Sequence, residues 1–234
     1  MPIIEWKELT FGYEKKILLK NISGKIEEGE CVALVGPSGC GKSTLCYLLS
    51  GIIPRSIEGE YEGEIKLLGE NLKDISLENV VKTIGVVFQN PDSQLFSPTV
   101  EDELAFGPEN FCLSISEIEN RIDYALKEVD MESYRFANPT QLSGGQKQLI
   151  ALAAVLVMKP KLLIFDEALS QLDKESTDRI SDVIIKLKNE GKSIIMVEHD
   201  MENLSFADRI LCIEDGKLIE KEKGSMQKKE GYNE

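Results

Sequence analysis

The chain has 234 residues, of which 42% are apolar, and its formal net charge is −14 at pH 7. This apolar fraction is that of a globular protein and excludes a largely disordered chain, while the length corresponds to one or two domains. Nucleic-acid binders usually carry a basic face that offsets phosphate charge. The acidic balance therefore argues against nucleic acid as a partner, although a local basic groove can lie on an acidic protein.

The sequence predicts no membrane-spanning segment. Its longest apolar run covers residues 149–158, whereas crossing a bilayer takes about 20 apolar residues. The first residues, M-P-I-I-E-W-K-E-L-T, lack a basic region followed by an apolar core, so we expect no signal peptide. The cysteines form no C-x-x-C pair, which fits reduced thiols in the cytosol better than disulfides or a zinc site. Any membrane role is expected to come through a partner.

Short apolar runs alternate with helical patterns, which predicts an α/β fold with a mostly parallel sheet. Residues 31–35 form a predicted strand, followed by a glycine-rich loop and a helix. Residues 162–165 are apolar at every position, as in a central parallel strand covered on both faces. Next comes a predicted helix, which Gly191 caps at its C-terminal end. A predicted strand at residues 194–197 follows. The apolar stripe of this helix consists of Ile180, Val183, Ile184 and Leu187.

Between residues 90 and 142 the pattern changes to helices and loops, which we interpret as a helical subdomain inserted into the α/β core. Ser116 and Glu119 have the spacing of a capping box. The apolar face of the helix that follows consists of Ile118, Ile122, Ala125, Leu126 and Val129. Near the end, Asp215-Gly216 predicts a hairpin.

Residues 36–43, G-P-S-G-C-G-K-S, match the phosphate-binding pattern G-x-x-x-x-G-K-[ST] between a predicted strand and a predicted helix. The glycines let backbone N–H groups turn inward around phosphate oxygens, and the helix points its positive end at the same anion. We expect Lys42 to reach the β- and γ-phosphates and Ser43 to bind Mg²⁺. Cys40 lies beside Lys42, which favours its thiolate; the alternative is a small, shielded filler.

Asp166 and Glu167 end the apolar run that begins at Leu162. An acid at this position can hold Mg²⁺ through water, and the next carboxylate can orient or deprotonate an attacking water. Taken alone, the pair also fits two solvated acids at a strand end. The phosphate-binding loop in the same chain favours the catalytic interpretation.

Residues 142–146, L-S-G-G-Q, open a second helix, with Ser143 as its N-cap and two glycines that expose backbone N–H groups. Alone, this pattern also fits a plain helix cap. Together with the other two motifs in this order, the sequence resembles the ATP-binding-cassette (ABC) family, whose signature is L-S-G-G-Q. The resemblance implies two cassettes that face head to tail, either identical or homologous, with each signature closing on the γ-phosphate held by the other cassette.

The resemblance also implies the architecture, which is a P-loop NTPase (RecA-like) core with a mostly parallel sheet, an inserted helical subdomain and an N-terminal antiparallel β region. We expect a single domain over residues 1–234. Residues 1–88 and 147–220 would form the α/β nucleotide-binding core. Residues 89–146 would form the Q-loop and the helical subdomain with the signature, and residues 221–234 a charged tail.

Site residues are assigned by the same resemblance. The catalytic residues are Glu167, His199, Gln89 and Lys42, with His199 as the switch histidine that contacts the γ-phosphate. The Mg²⁺ ligands are Ser43, Gln89 and Asp166. The nucleotide-contacting residues are Tyr13, Gly36, Pro37, Ser38, Gly39, Cys40, Gly41, Lys42, Ser43, Thr44, Ser143, Gly144, Gly145 and Gln146.

Two of these assignments keep an alternative. Tyr13 is expected to stack on adenine, but it can also simply pack at a strand end. A lone histidine is usually a surface residue, and only its match to the family position favours the switch role for His199. Residues 170–173 look like the D-loop that crosses the dimer, and Ala168 stands where the family often has proline.

A narrower resemblance begins at the Q-loop. Residues 87–96, V-F-Q-N-P-D-S-Q-L-F, are similar to the ATPase components of energy-coupling-factor importers, which take up vitamins and cobalt or nickel ions. The similarity continues through Thr99, Val100, Glu103, Phe106, Gly107, Glu109 and Asn110. We expect Leu95 and Phe96 to form part of a docking groove for a membrane subunit; the alternative is that they pin the helical subdomain to the core.

The sequence therefore predicts an ATP-hydrolysing motor subunit of an energy-coupling-factor importer, peripheral on the cytoplasmic face of the cell membrane. Its cofactors would be ATP and Mg²⁺. Its partners would be a second ATPase subunit, a transmembrane coupling subunit and a substrate-binding membrane subunit. One alternative is the ATPase subunit of an exporter. Another is a soluble ABC ATPase of DNA repair or translation, although the chain has neither the coiled coils nor the paired cassettes usual there.

Overall fold

The computed structural model describes residues 1–13, 16–198 and 204–221. His199 and residues 222–234 of the predicted tail lie outside the described residues. The elements, in chain order, are β1 (Pro2–Tyr13), β2 (Lys16–Glu27), β3 (Cys31–Val35), α1 (Lys42–Leu49), α2 (Ile52–Arg55), β4 (Glu62–Leu67), β5 (Glu70–Asn71), α3 (Leu77–Thr83), β6 (Ile84–Phe88), α4 (Val100–Asn110), α5 (Ile115–Glu128), α6 (Gly144–Leu156), β7 (Leu162–Asp166), α7 (Lys174–Asn189), β8 (Ser193–Val197), β9 (Arg209–Glu214) and β10 (Lys217–Lys221).

The chain divides into two compact units. One is Met1–Ile75 with the described residues from Ser193 onward, and the other is Ser76–Lys192. The first unit contains an antiparallel sheet in the order β2-β1-β4-β5. Its long strands bury Trp6, Leu9 and Phe11. Alternate side chains of a regular strand face the same side, and a register shift between Trp6 and Leu9 returns the apolar side chains to the buried face. This sheet confirms the predicted N-terminal antiparallel β region.

The first unit also contains β3, which pairs in parallel with β8 on one side and with β9 on the other. All five residues of β3 and all five of β8 are buried, as in strands covered on both faces. β9 and β10 form the predicted hairpin, and its turn residues Asp215 and Gly216 have φ of 52° and 78°. These left-handed conformations are those of a type I′ turn.

The second unit pairs β6 with β7 in parallel and contains helices α3 to α7. All five residues of β7 are buried, so the continuous apolar run at residues 162–165 did indicate a covered strand. α7 buries Ile180, Ile184 and Leu187, and Gly191 follows its end with φ 87°. The predicted strands and the cap are therefore confirmed, and the stripe is confirmed at these three positions, whereas Val183 is half-buried.

The predicted start of α5 is wrong by two residues. Ser114, not Ser116, is the N-cap, and its side chain accepts a hydrogen bond from the backbone N–H of Glu117. Both serines have the chemistry of a cap, but the earlier start adds half a turn of helix and leaves Ser116 hydrogen-bonded to Ser114. The predicted apolar face is confirmed at Ile122, Ala125, Leu126 and Val129, which are buried, whereas Ile118 is half-buried.

No helix among residues 1–13, 16–198 and 204–221 is both long enough and apolar enough to span a bilayer. All five cysteines are free, as the sequence predicts.

Candidate functional site

The phosphate loop, residues 36–43, connects the end of β3 to the start of α1 in the first unit. Three of its glycines have positive φ, which are 148° at Gly36, 73° at Gly39 and 112° at Gly41. A Cβ at Gly39 would meet nothing within 4 Å, whereas a Cβ at Gly41 would lie 3.0 Å from the Leu19 side chain. The loop is thus open on the side of Gly39, where Pro37 and Ser38 are also exposed, and packed beneath Gly41.

Lys42 lies inside this loop rather than in solvent. It is 4% exposed, and its Nζ donates hydrogen bonds to the carbonyl oxygens of Gly36 at 3.0 Å and Pro37 at 3.2 Å. Thr44 is buried and Ser43 is half-buried. A buried ammonium surrounded by left-handed glycines fits a triphosphate, since charge-assisted hydrogen bonds to phosphate oxygens are strong ones.

The side chain of Cys40 behaves differently from the expectation. Burial raises the pKa of the Cys40 thiol, and the charge of Lys42 and the backbone N–H groups of the loop only partly oppose this effect. The raised pKa opposes the predicted preference for the thiolate, because a charged sulfur loses hydration inside the loop. A shielded filler describes this side chain better.

Tyr13 ends β1 and is 43% exposed. Its ring meets the buried Phe11 ring edge to face, with centroids 4.9 Å apart. The contact with Phe11 agrees with packing at a strand end, and the exposed part of the ring leaves room for stacking on a base. The adenine role of Tyr13 stays a prediction.

In the second unit, β6 and β7 bring two predicted parts of the site to one sheet edge. Phe88 is paired with Asp166, and both strands run in the same direction, so Gln89 and Glu167 leave the sheet at the same edge. Asp166 is buried, whereas Gln89 is exposed. Sequence spacing could not have established this pairing, because 78 positions separate the two residues.

Glu167 has a left-handed backbone with φ 54°. Its carbonyl oxygen accepts hydrogen bonds from the N–H of Ser170 at 3.0 Å and from Ser170 Oγ at 2.7 Å. A left-handed non-glycine residue costs on the order of 1–3 kcal/mol and persists where surrounding contacts impose it, often at functional sites. The conformation therefore supports a special role for Glu167.

Helix α6 begins with a complete capping box. Ser143 Oγ accepts the N–H of Gln146 at 3.3 Å, and Gln146 Oε1 accepts the N–H of Ser143 at 2.9 Å. Gln146 Nε2 also donates to Tyr134 Oη at 2.8 Å. The side chain of Gln146 is thus occupied in holding the signature loop, residues 142–146, in shape. Its direct contact with nucleotide stays a prediction.

The two glycines of the signature loop have different surroundings. A Cβ at Gly144 would meet nothing within 4 Å, whereas a Cβ at Gly145 would lie 2.0 Å from Ser176 Oγ. Ser176 is in the first turn of α7, where its N–H donates to the N-cap Asp173 at 2.8 Å. This hydrogen bond lowers the pKa of Asp173. Gly145 is therefore required by packing, and Gly144 is open to an approaching group.

Side chains to which the sequence analysis gave no structural role of their own hold the segment after Gln89. Gln94 folds back on β6, where its Nε2 donates to Val86 O at 3.3 Å. The buried Glu103 carboxylate accepts the N–H groups of Phe96 at 2.9 Å and Ser97 at 2.8 Å. A buried carboxylate among apolar helix positions is the signal that could have pointed to Glu103, since buried charges need partners.

The predicted metal ligands are divided between the two units, with Ser43 in the first and Gln89 and Asp166 in the second. In the described part of the chain, no three His, Cys, Asp or Glu side chains form a group that could hold a metal. The predicted role of His199 lies outside the described residues.

Comparisons with known proteins agree with these features. A sequence model of the ABC transporter family matches residues 19–170. A putative ABC transporter ATP-binding protein of Methanosarcina mazei is 44% identical over 221 residues, which are 93% of this chain and 38% of that protein. An energy-coupling factor transporter ATP-binding protein of Methanococcus maripaludis is 41% identical over 223 residues, 94% of this chain and 78% of that protein. The chain thus spans well under half of the first relative.

Two solved structures share the fold. CbiO1 from Clostridium perfringens, described as part of the ABC transporter complex CbiONQ, has a TM-score of 0.83 and 34% identity, covering 93% of this chain and 87% of that one. A dimeric ATP-binding cassette in a post-hydrolysis state with ADP and Pi has a TM-score of 0.81 and 28% identity, covering 94% and 98%. The predicted P-loop NTPase fold is therefore confirmed.

Proposed function

Because this chain belongs to the ABC transporter family, we propose that it is the ATP-hydrolysing motor subunit of an importer of the energy-coupling-factor type. The observation that carries the proposal is the buried Lys42 ammonium within the left-handed glycine loop at the start of α1. The energy-coupling factor relative and the CbiO1 structure support the importer type. Its cargo would be a vitamin or a transition-metal ion, bound by other subunits.

The residues of the first unit would bind the nucleotide. Backbone N–H groups of the phosphate loop and of the first turn of α1 would surround the phosphate oxygens. The Lys42 ammonium would exchange its carbonyl partners for phosphate oxygens, placing a positive charge where negative charge develops during transfer. Tyr13 would hold the adenine ring by stacking.

Residues of the second unit would prepare the attacking water. Glu167 would orient this water and accept its proton, and its imposed backbone conformation would hold the carboxylate in place. When bound, Mg²⁺ supplies neutralisation of phosphate charge. Ser43, Gln89 and Asp166 would hold the ion. Outside the described residues, His199 would contact the γ-phosphate.

A second cassette would complete each site. The signature loop presents Ser143, exposed, and Gly144, with open space at its Cβ position. A phosphate held by the opposite cassette could approach this side closely. The dimeric cassette with ADP and Pi supports such pairing. Either an identical or a homologous chain could be this partner.

A membrane subunit would dock on the segment after Gln89. Phe96 is 67% exposed, and its ring meets the exposed Phe106 ring edge to face with centroids 4.9 Å apart. Two large apolar side chains side by side on a surface indicate a contact site rather than scattered exposure. Docking to a membrane subunit through this surface would place the chain on the cytoplasmic face of the membrane.

The activity is tested by phosphate release from Mg-ATP with the purified wild-type chain. Lys42→Ala is measured beside it, and Lys66→Ala is the matched lysine control. Steady turnover supports the proposal, whereas absence of both ATP binding and turnover in a folded protein contradicts it.

Docking is tested separately with Phe96→Asp. A charge at a contact surface is desolvated without a partner, so we expect a folded cassette with near-normal basal ATPase that no longer co-purifies with the membrane subunits. A variant that stays assembled and supports uptake would exclude this surface. Cargo accumulation in cells or vesicles distinguishes import from the exporter alternative, and co-purification with nucleic acid would favour a soluble ATPase.

A further inference from the structure

Two consecutive side chains of α6, just after the signature loop, contact the last residue of β6 and the segment that begins at Gln89. This segment, residues 89–99, is the Q-loop. Lys147 Nζ lies 2.7 Å from Asp92 Oδ1, and Asp92 belongs to the short 3₁₀ turn Pro91–Ser93 within the Q-loop. Gln148 Nε2 donates to the carbonyl oxygen of Phe88 at 2.9 Å. The signature helix therefore contacts the Q-loop at its middle and immediately before its first residue.

Gln148 is an unusual choice for its position. It is 1% exposed and is followed by Leu149, Ile150 and Ala151, which are also buried. Its Oε1 has no hydrogen-bond partner among the described residues. An unsatisfied buried acceptor is unfavourable, and a leucine of similar size would avoid it. The donor at Nε2 is thus the feature that requires glutamine here, and only this end of the amide can face the Phe88 carbonyl.

The other end of the Q-loop carries the exposed Phe96, whose N–H is held by Glu103. A displacement of this end would change the position of Asp92, because Gln94 N and Leu95 N both donate to Pro91 O at 3.0 Å and so join the residue before Phe96 to the turn. Within the turn, Asp92 N donates to Asn90 Oδ1 at 3.0 Å. The Lys147 and Gln148 contacts would transfer such a displacement to the first turns of α6.

We propose that Lys147 and Gln148 are positioning residues that tie the signature helix to the Q-loop, so that a partner docked at Phe96 adjusts the signature loop. The inference rests on the proposed function, since it takes docking at Phe96 and hydrolysis across a dimer as given. Neither residue is assigned a contact with nucleotide.

The experiment compares four variants with the wild-type chain. Gln148→Leu keeps the size of the side chain and removes the donor. Lys147→Met breaks the ion pair, and Asp92→Lys combined with Lys147→Asp restores it with the charges exchanged. Lys82→Met is the control, because it breaks the Lys82–Glu78 ion pair on α3 of the same unit, and neither residue belongs to the Q-loop or to α6.

Steady-state ATPase of the assembled transporter is the first readout. We expect kcat to fall about tenfold in Gln148→Leu and about threefold in Lys147→Met, with KM for ATP within about twofold, because only positioning is lost. The charge-exchanged pair is expected to recover at least half of the wild-type kcat. Unchanged kcat in both variants, or no recovery in the exchanged pair, overturns the proposal.

Hydrogen exchange of the ligand-free chain is the second readout and needs no catalysis. We expect amides of residues 88–97 to exchange about tenfold faster in Gln148→Leu and at the wild-type rate in Lys82→Met. Exchange of these amides at the wild-type rate in Gln148→Leu would overturn the proposed connection between α6 and the Q-loop. If the wild-type chain hydrolyses no ATP, the proposed function fails, while the exchange measurement still decides whether α6 holds the Q-loop.

Discussion

The phosphate loop and the signature loop each place glycines in front of an α-helix, yet they complete the start of that helix in different ways. α1 follows Gly41, which is left-handed and offers no side-chain cap. α6 follows Ser143, which forms a reciprocal capping box with Gln146. The first N–H groups of a helix have no partner within it. In the phosphate loop no side chain caps them, whereas side chains of the signature loop satisfy part of them.

This difference separates two ways of preparing the two proposed anion sites. The phosphate loop depends on backbone conformation and on one buried ammonium, so damage to it is expected to weaken binding. The signature loop is already stabilised by its own side chains and by the close approach of Ser176 to Gly145. Damage to it is expected to lower stability or turnover while the chain still binds ATP. Changing one feature at a time tests this distinction.

The largest effect is expected outside both loops, at the proposed general base. Glu167→Gln leaves both anion sites intact, so ATP affinity is expected to persist while kcat falls by about 10²–10⁴-fold. Without the negative charge, two cassettes are expected to stay closed on Mg-ATP, which size-exclusion chromatography can detect. Glu119→Gln, on the exposed side of α5, is the control. Normal turnover in Glu167→Gln would remove the catalytic role.

Lys42→Ala tests the phosphate loop. It removes the only charged side chain of the loop, and charge-assisted hydrogen bonds contribute on the order of 1.5–3 kcal/mol each. We therefore expect the Kd for ATP, measured by calorimetry, to rise about a hundredfold. Lys66→Ala in the same unit is the matched control. ATP affinity equal to that of the wild type would show that the buried ammonium does not face the nucleotide.

The two signature glycines are expected to respond in opposite ways to the same substitution. Gly145→Ala forces a Cβ against Ser176 and is expected to lower the free energy of unfolding by about 1–3 kcal/mol. Gly144→Ala has open space and is expected to be neutral or slightly stabilising, by at most about 1 kcal/mol, but to lower ATPase by blocking the partner cassette.

Thermal unfolding and phosphate release, measured on both variants, check this contrast. Ser176→Gly combined with Gly145→Ala makes room for the Cβ and is expected to recover part of the lost stability. Equal loss of stability in the two single variants would contradict the difference between the glycines.

Ser143→Ala is expected to have the smallest effect. Loss of a helix N-cap costs about 0.5–2 kcal/mol, and each kcal/mol lowers Tm by about 2–4 °C in a protein of this size. ATP affinity is expected to be unchanged, because the phosphate loop is untouched. Calorimetry of unfolding provides the measurement, and Ser143→Thr, which retains a hydroxyl, serves as its control. A weakened ATP affinity in Ser143→Ala would remove the separation between the two loops.

Much of the fold could be predicted from the sequence because the informative patterns are local. β3, β7 and β8 are continuous apolar runs, and all of their residues are buried. The Asp215-Gly216 turn was recognisable for the same reason, since two adjacent residues set its type. The start of α5 was not, because Ser114 and Ser116 each have a glutamate three residues later, so the sequence offers two equally good caps, of which the structure uses Ser114.

The sequence by itself determined the order of the motifs, the family and the glycine positions of both anion loops, since these depend on neighbouring residues. Tertiary structure alone decided which distant groups meet. Three contacts join residues that are far apart in the chain: Phe88 pairs with Asp166, Ser176 packs against Gly145, and Gln148 donates to the Phe88 carbonyl. The raised pKa of Cys40 likewise depends on burial, which no sequence neighbour reports. Local patterns encode secondary structure and turns, but burial and long-range contacts arise only when the whole chain packs.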